Sequence, residues 1–257
     1  MNGSSLPGVE PELLLARDQG ARNLVSVGAL VQAPLTSLMA IGSSKVRTPR
    51  DLAGKRVATA GIAYQSAYLR TILDHVGVDP RTVKETNVGF KLVPAMISKR
   101  ADATLGAFWN YEAVDLQQQG RKPRVFRMEQ FGVPTYDELI FVARRQDLDQ
   151  TGASKLRRFL QATARGHQLL KRNPEFGVDA LLRADPSLSR KLESAAVRAT
   201  LPVFFPTDAG KPFGWQDEAQ WAAYGRWMIA NHLIKGTDPA PPLTNEFLPG
   251  EGLQSGA

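Results

Sequence analysis

Between residues 56 and 127 strand-like and helix-like segments alternate without a break, and that alternation leaves few folds open. Short runs rich in apolar and β-branched residues at 56–60, 83–88, 103–108 and 123–127 are separated by helical stretches at 64–75, 91–99 and 111–118. Strands separated by helices of about ten residues form βαβ units, which predicts a mostly parallel sheet with helices on both faces. The punctuation agrees. Gly77 follows the first of these helices, and Thr48 and Pro49 supply a helix cap and a first helical residue just upstream.

The flanks read differently. A short helix at 11–19 ends at Gly20, and apolar runs at 23–31 and 37–41 read as strands. A longer strand follows at 137–145, and then only helices: 154–171, 174–184, 189–200 and an amphipathic segment opening at Asp217. In that last segment Trp221, Tyr224, Trp227 and Met228 recur at helical spacing, so they read as core. The helices after 145 need a sheet of their own to cover. The expectation is two lobes joined by a hinge, with residues 1–43 and 138–257 in lobe one and 44–137 in lobe two. Lobe one is short of strands, and so is expected to be incomplete.

Composition narrows the function. The 257 residues are 43% hydrophobic and 22% charged, ordinary for a globular chain, and no apolar run is long enough to span a bilayer. The formal charge of +7 is scattered among acids, which favours a basic solvated surface over a nucleic-acid footprint. The basic stretch SKLRRFLQATARGHQLLKR falls on a helix that also has an apolar face. Cysteine is absent, which removes disulfides, thiolate metal sites and cysteine nucleophiles. His75, His167 and His232 lack metal-ligand spacing, and the first two read as surface residues. No cofactor or metal is expected. The first twenty residues lack a basic region followed by an apolar one, so they do not read as a secretory signal. The expectation is a chain that stays in the cell or a shortened form of a longer one.

In an open α/β sheet, ligands bind at the carboxyl ends of the strands. Three places in lobe two qualify: Tyr64, Gln65 and Ser66 after strand 56–60; Gly89 and Phe90 after 83–88; and Trp109, Asn110, Tyr111 and Glu112 after 103–108. Aromatic faces beside an amide and a carboxyl suit a flat, amine-bearing heterocycle. Trp109 and Phe90 could instead plug the sheet edge; the coincidence of three sites favours the ligand. Tyr136, Asp137 and Glu138 lie at the return crossover, where the two acids read either as cleft residues or as ordinary solvated ones. Trp215, just before the last helix, reads as a packing lid. No nucleophile elbow, phosphate loop or zinc motif occurs.

The stretches NVGFKLVPAMISKRADATLGAFWNYEAVDL, FGVPTYDELIFVARRQDL, PFGWQDEAQW and TNEFLP resemble the solute-binding proteins of bacterial ABC importers for thiamine pyrimidine precursors. That family includes the yeast thiamine-pyrimidine synthase, and the similarity runs from about Glu10 to Pro249. The resemblance implies a type II periplasmic binding fold. It implies a ligand such as N-formyl-4-amino-5-aminomethyl-2-methylpyrimidine, or a related hydroxymethylpyrimidine. The implied partners are an ABC permease and its ATPase, with no nucleic acid, and the implied location is periplasmic or extracytoplasmic. Tyr64, Trp109, Asn110, Glu112, Tyr136 and Asp137 match the ligand wall. The family pattern begins here only at GVEPELLLARDQG, where family members carry a leader and further residues of lobe one.

Two alternatives remain. A pyrimidine synthase consuming pyridoxal phosphate and its own histidine would need the cysteine-rich segment of the yeast relative, which this chain lacks. A sulfonate, taurine or nitrate binder of the same fold would need cationic and hydroxyl groups where Glu112 stands.

Overall fold

The computed structural model describes residues 5–205, 210–236 and 240–250, the first three by backbone only. The chain forms two compact units. Unit 1 comprises residues 1–33, 135–186 and 200–257; unit 2 comprises 34–134 and 187–199.

Unit 1 is built on three antiparallel strands, β1 (Ser5–Gly8), β2 (Leu24–Val31) and β8 (Leu139–Arg144), in the order β1-β8-β2. β2 carries a bulge at Val27, where Ser26 faces Val142 and Gly28 faces Phe141. An extra residue on one strand reverses the alternation of its side chains. Val25 therefore points with Ala143 to one face of the sheet, and Ala29 points with Ile140 to the other, although both positions are odd. The first face packs on Leu156 and Leu160 of α5 (Gln150–Arg172) and on Phe247 and Leu248. The second packs on Leu13 of α1 (Glu10–Asp18) and Trp221 of α8 (Glu218–Ala230). Asp149, Asn173 and Asp217 cap α5, α6 (Pro174–Ala184) and α8 through their side chains. Trp221, Tyr224 and Met228 are buried, as their spacing predicts.

Unit 2 holds a five-stranded sheet in the order β5-β4-β6-β3-β7. Its strands are β3 (Thr36–Ala40), β4 (Arg56–Thr59), β5 (Lys84–Asn87), β6 (Ala103–Phe108) and β7 (Arg124–Arg127). β4 pairs in parallel with β5 and β6, while β3 runs antiparallel between β6 and β7. α2 (Ala63–His75) carries the chain from β4 outward to β5, and α3 (Leu92–Ile97) brings it back across to β6. Right-handed crossovers in opposite directions put these helices on opposite faces. α3 and α4 (Glu112–Gln118) close one face through Leu92, Met96 and Leu116 against Met39 and Ala107. The β5 edge, Lys-Glu-Thr-Asn, is exposed throughout, and its charges discourage pairing with a further strand.

The structure departs from the expected arrangement in two places. The strand at 36–40, assigned from the sequence to lobe one, is hydrogen-bonded into the sheet of unit 2 and makes that sheet mixed rather than mostly parallel. Residues 187–199, at the start of α7 (Arg190–Phe204), group with unit 2 as well. Apolar patterning marks a strand or helix but says nothing of which distant segment it pairs with.

Candidate binding edge of the five-stranded sheet

The carboxyl ends of β4, β5, β6 and β7 share one edge of the unit 2 sheet, and four of the six residues named from the sequence lie there. The edge is tightly fixed. Gln65, in the first turn of α2, accepts the Ala60 N–H at 3.0 Å, and its amide lies over Gly106. Gly106 has φ +119°, and a Cβ there would come within 2.8 Å of the Gln65 side chain, so both conformation and space demand glycine. It is also the bulge of β6, since Ser37 faces Ala107 while Leu38 faces Leu105. Glu85 on β5 accepts from Thr59 at 2.9 Å and from Ser66 at 2.6 Å, tying α2 to the strand ends.

Beyond the bulge comes the Trp-Asn-Tyr-Glu run, and each side chain is placed by a different device. Trp109 donates its backbone N–H to Leu35 O at 3.0 Å and its indole N–H to Pro34 O at 2.9 Å. The Arg127 guanidinium lies 4.0 Å above the indole. Asn110 is buried. Tyr111 turns to α7 and donates to Glu193 at 2.9 Å; burial, then this carboxylate, push its phenol up to about 12. Glu112 opens α4 and accepts the Phe108 N–H at 2.9 Å, tying the first turn of the helix to the end of β6. Burial raises the Glu112 pKa above the usual carboxylate range, the two backbone hydrogen bonds oppose that shift, and Asp115 adds to it.

Tyr64 is 7% exposed, and its ring meets Tyr68 at 5.6 Å. It therefore backs the edge rather than standing opposite Trp109, whose ring carries the Arg127 guanidinium. Phe90 neither plugs the sheet nor packs: it is 91% exposed.

Tyr136 and Asp137 belong to unit 1. Both are buried, as is Glu138, so the reading of Asp137 and Glu138 as solvated acids is corrected. The Tyr136 hydroxyl donates to Glu138 at 2.9 Å, and its ring lies against Tyr224. Asp137 accepts the Trp221 indole N–H at 2.7 Å and the Gln220 amide at 3.1 Å. Glu10, fully buried, accepts the Asp137 backbone N–H at 2.7 Å, and its other oxygen has no partner among the described residues. Burial raises the pKa of both acids, Asp137 to about 7 and Glu10 well above its ordinary range, with mutual repulsion adding to Glu10. Sequence reasoning missed Glu10, which opens a helix and looks like an ordinary first-turn acid.

His167 also departs from expectation. It is buried among Phe204, Phe205 and Phe213, with Nε2 2.7 Å from the Phe204 carbonyl, and burial lowers its pKa. The aromatic cluster arrives from residues about forty positions away, and no local pattern announces it. Trp215 packs half-buried against the α5 side of unit 1 under Lys211, as a lid would. Unit 1 also contains a cavity of about 490 Å³ between α1 and α8, lined in part by Leu14, Arg22, Trp221, Arg226 and Pro242. None of the six wall residues lines it. Among the described residues no group of three or more His, Asp or Glu could hold a metal ion, and no helix is long and apolar enough to cross a membrane.

Residues 9–176 match the model of the NMT1/THI5-like family. The chain belongs to that family. Among relatives of known name, the formylaminopyrimidine-binding protein of Halalkalibacterium halodurans is 29% identical over 228 residues, covering 88% of this chain and 68% of that protein. A putative thiamine biosynthesis protein of Haemophilus influenzae is 32% identical over 190 residues, 74% of this chain and 58% of that one. The 4-amino-5-hydroxymethyl-2-methylpyrimidine phosphate synthase of Legionella pneumophila is 27% identical over 229 residues, 88% and 70% of the two chains. This NMT1/THI5-like chain thus spans only part of each relative's length.

Solved structures show the fold. The alkanesulfonate-binding protein of Xanthomonas axonopodis pv. citri superposes with a TM-score of 0.69 at 19% identity, over 94% of this chain and 80% of that one. The periplasmic aliphatic sulphonate binding protein of Escherichia coli gives 0.68 at 18%, over 92% and 77%. A Candida albicans protein with the generic periplasmic binding protein fold gives 0.61 at 12%, over 98% and 82%. The periplasmic binding fold expected from the sequence is the fold these neighbours share.

Proposed function

We propose that this chain is the substrate-binding component of an ABC importer and that it takes a thiamine pyrimidine precursor, such as N-formyl-4-amino-5-aminomethyl-2-methylpyrimidine. The observation that carries the reading is the grouping of Trp109, Asn110 and Glu112 at one strand edge, with the indole held in place and a half-buried carboxyl three residues on. An indole face stacks on a pyrimidine ring. A carboxyl whose pKa is raised by burial shares a proton with a ring nitrogen or accepts from the exocyclic amine. Asn110 supplies both a donor and an acceptor. Tyr64 supports this wall from behind. Tyr136 and Asp137, already bonded within unit 1, shape the crossover rather than supply free groups. The name of the Halalkalibacterium relative supports the same ligand class.

On this reading the protein binds and releases its ligand unchanged, acts outside the cytoplasm, and hands the ligand to a permease and ATPase. The Legionella relative is named as a synthase, so turnover has to be tested directly. Calorimetric titration with the formylaminopyrimidine should give saturable binding, and Trp109→Ala and Glu112→Gln should each weaken it at least about tenfold. Binding of an alkanesulfonate in preference to the pyrimidine, or loss of nothing on Trp109→Ala, overturns the assignment. Pyrimidine product after incubation with pyridoxal phosphate and iron would replace it with the synthase.

A further inference from the structure

Trp109 is restrained from three directions, and one of the restraints has no counterpart in the sequence pattern. Its indole N–H is tied to Pro34 O, which lays the ring across the amino end of β3. Arg127 reaches it from the far side of that strand: Phe108 faces Thr36 and Arg127 faces Ser37, so the two side chains flank β3. The guanidinium carbon stands 4.0 Å from the ring centroid, within van der Waals contact of the indole face. Arg127 is itself held, since its Nε donates to Glu129 Oε1 at 3.0 Å, and both side chains are only about a quarter exposed, 28% and 25%. The second Glu129 oxygen is buried and has no partner among the described residues.

We infer that Arg127 is the positioning residue of the binding edge. It presses the Trp109 indole flat and covers one of its faces, so a ring ligand has only the opposite face to stack on. Glu129 is the anchor that keeps the guanidinium over the ring instead of in solvent. It also neutralises the cation, so Arg127 offers no net charge to an anionic ligand. The inference rests on the reading of Trp109 as a ligand wall and adds the residue that sets the wall's orientation. A planar guanidinium can stack over the indole face, whereas an ammonium, such as that of Lys211 over Trp215, makes only a point contact.

The test uses the full chain labelled with 5-fluorotryptophan, whose four indoles give separate fluorine resonances, with Trp109 assigned by Trp109→Phe. In the ligand-free protein, Arg127→Ala should shift and broaden the Trp109 resonance while the other three stay in place. Arg127→Lys should leave most of that change, and Glu129→Gln should reproduce it in part without removing the cation. Affinity for the formylaminopyrimidine should fall about tenfold in Arg127→Ala, and the double variant Trp109→Phe with Arg127→Ala should be no weaker than Trp109→Phe alone. A Trp109 resonance unmoved by both Arg127→Ala and Glu129→Gln overturns the inference, as do losses that simply add. If the unmodified chain binds no pyrimidine, the proposed function falls, while the ligand-free resonance still decides the role of Arg127.

Discussion

Asp137→Asn exchanges a buried carboxyl for a neutral group of the same shape. In the unfolded chain Asp137 titrates near 3.8, and in the folded chain burial moves it to about 7. Folding therefore takes up a proton at any pH between those values. For an acid whose folded pKa is raised, stability is full below about pH 4 and is lost as pH climbs towards 7. Three pH units at about 1.4 kcal/mol each make the loss about 4 kcal/mol. Asparagine still accepts from the Trp221 indole, but its NH2 meets the Gln220 amide, a mismatch worth about 1 kcal/mol. The variant should then exceed the parent by about 3 kcal/mol at pH 8, and near pH 4, where only the mismatch remains, it should fall below the parent by about 1 kcal/mol. Glu10 titrates together with Asp137, so the slope belongs to the pair. Urea unfolding followed by circular dichroism at pH 4.5, 6 and 8 measures the difference. A variant less stable than the parent at pH 8 would mean that Asp137 is ionised and satisfied by its donors, and the argument would be wrong.

Two further outcomes follow from the packing. Gly106→Ala forces a side chain into φ +119° and against Gln65. It should cost about 1–3 kcal/mol in unfolding free energy and move the Trp109 environment in a fluorescence or fluorine spectrum. His167 gives the opposite pH behaviour to Asp137. Its folded pKa is depressed by burial, so its contribution is present above about pH 6.5 and lost as pH falls below that. His167→Gln should flatten stability between pH 5 and 7, which denaturation at those two values will show.

Much of this molecule can be read from local pattern. The alternation of helix and strand signals between 56 and 127 identifies the layers, and the strand at 103–108 has the bounds its apolar run suggests. Thr48 and Asp217 act as caps, and Trp221 and Tyr224 are core. The edge carrying Tyr64, Trp109, Asn110 and Glu112 follows from the rule that parallel strands end together. Long-range pairing is where pattern stops. The partner of Trp109 is a carbonyl 75 positions earlier, and that of Tyr111 is a carboxylate 82 positions later. β3 reads as a strand from its composition, but its place between β6 and β7 depends on register and packing that no short window contains. Asp137 looks like a surface acid because its desolvation comes from α8, more than eighty residues away.

The extra residue in β6 has a consequence for how this edge could be remodelled. Substitutions at 106 alter fit, but removing the residue altogether would restore regular pleating while leaving Leu105 opposite Leu38 and Ala107 opposite Ser37, each on the face it already occupies. The tryptophan run would keep its side of the sheet. A single codon deletion would take the bend out of the strand without turning its side chains over.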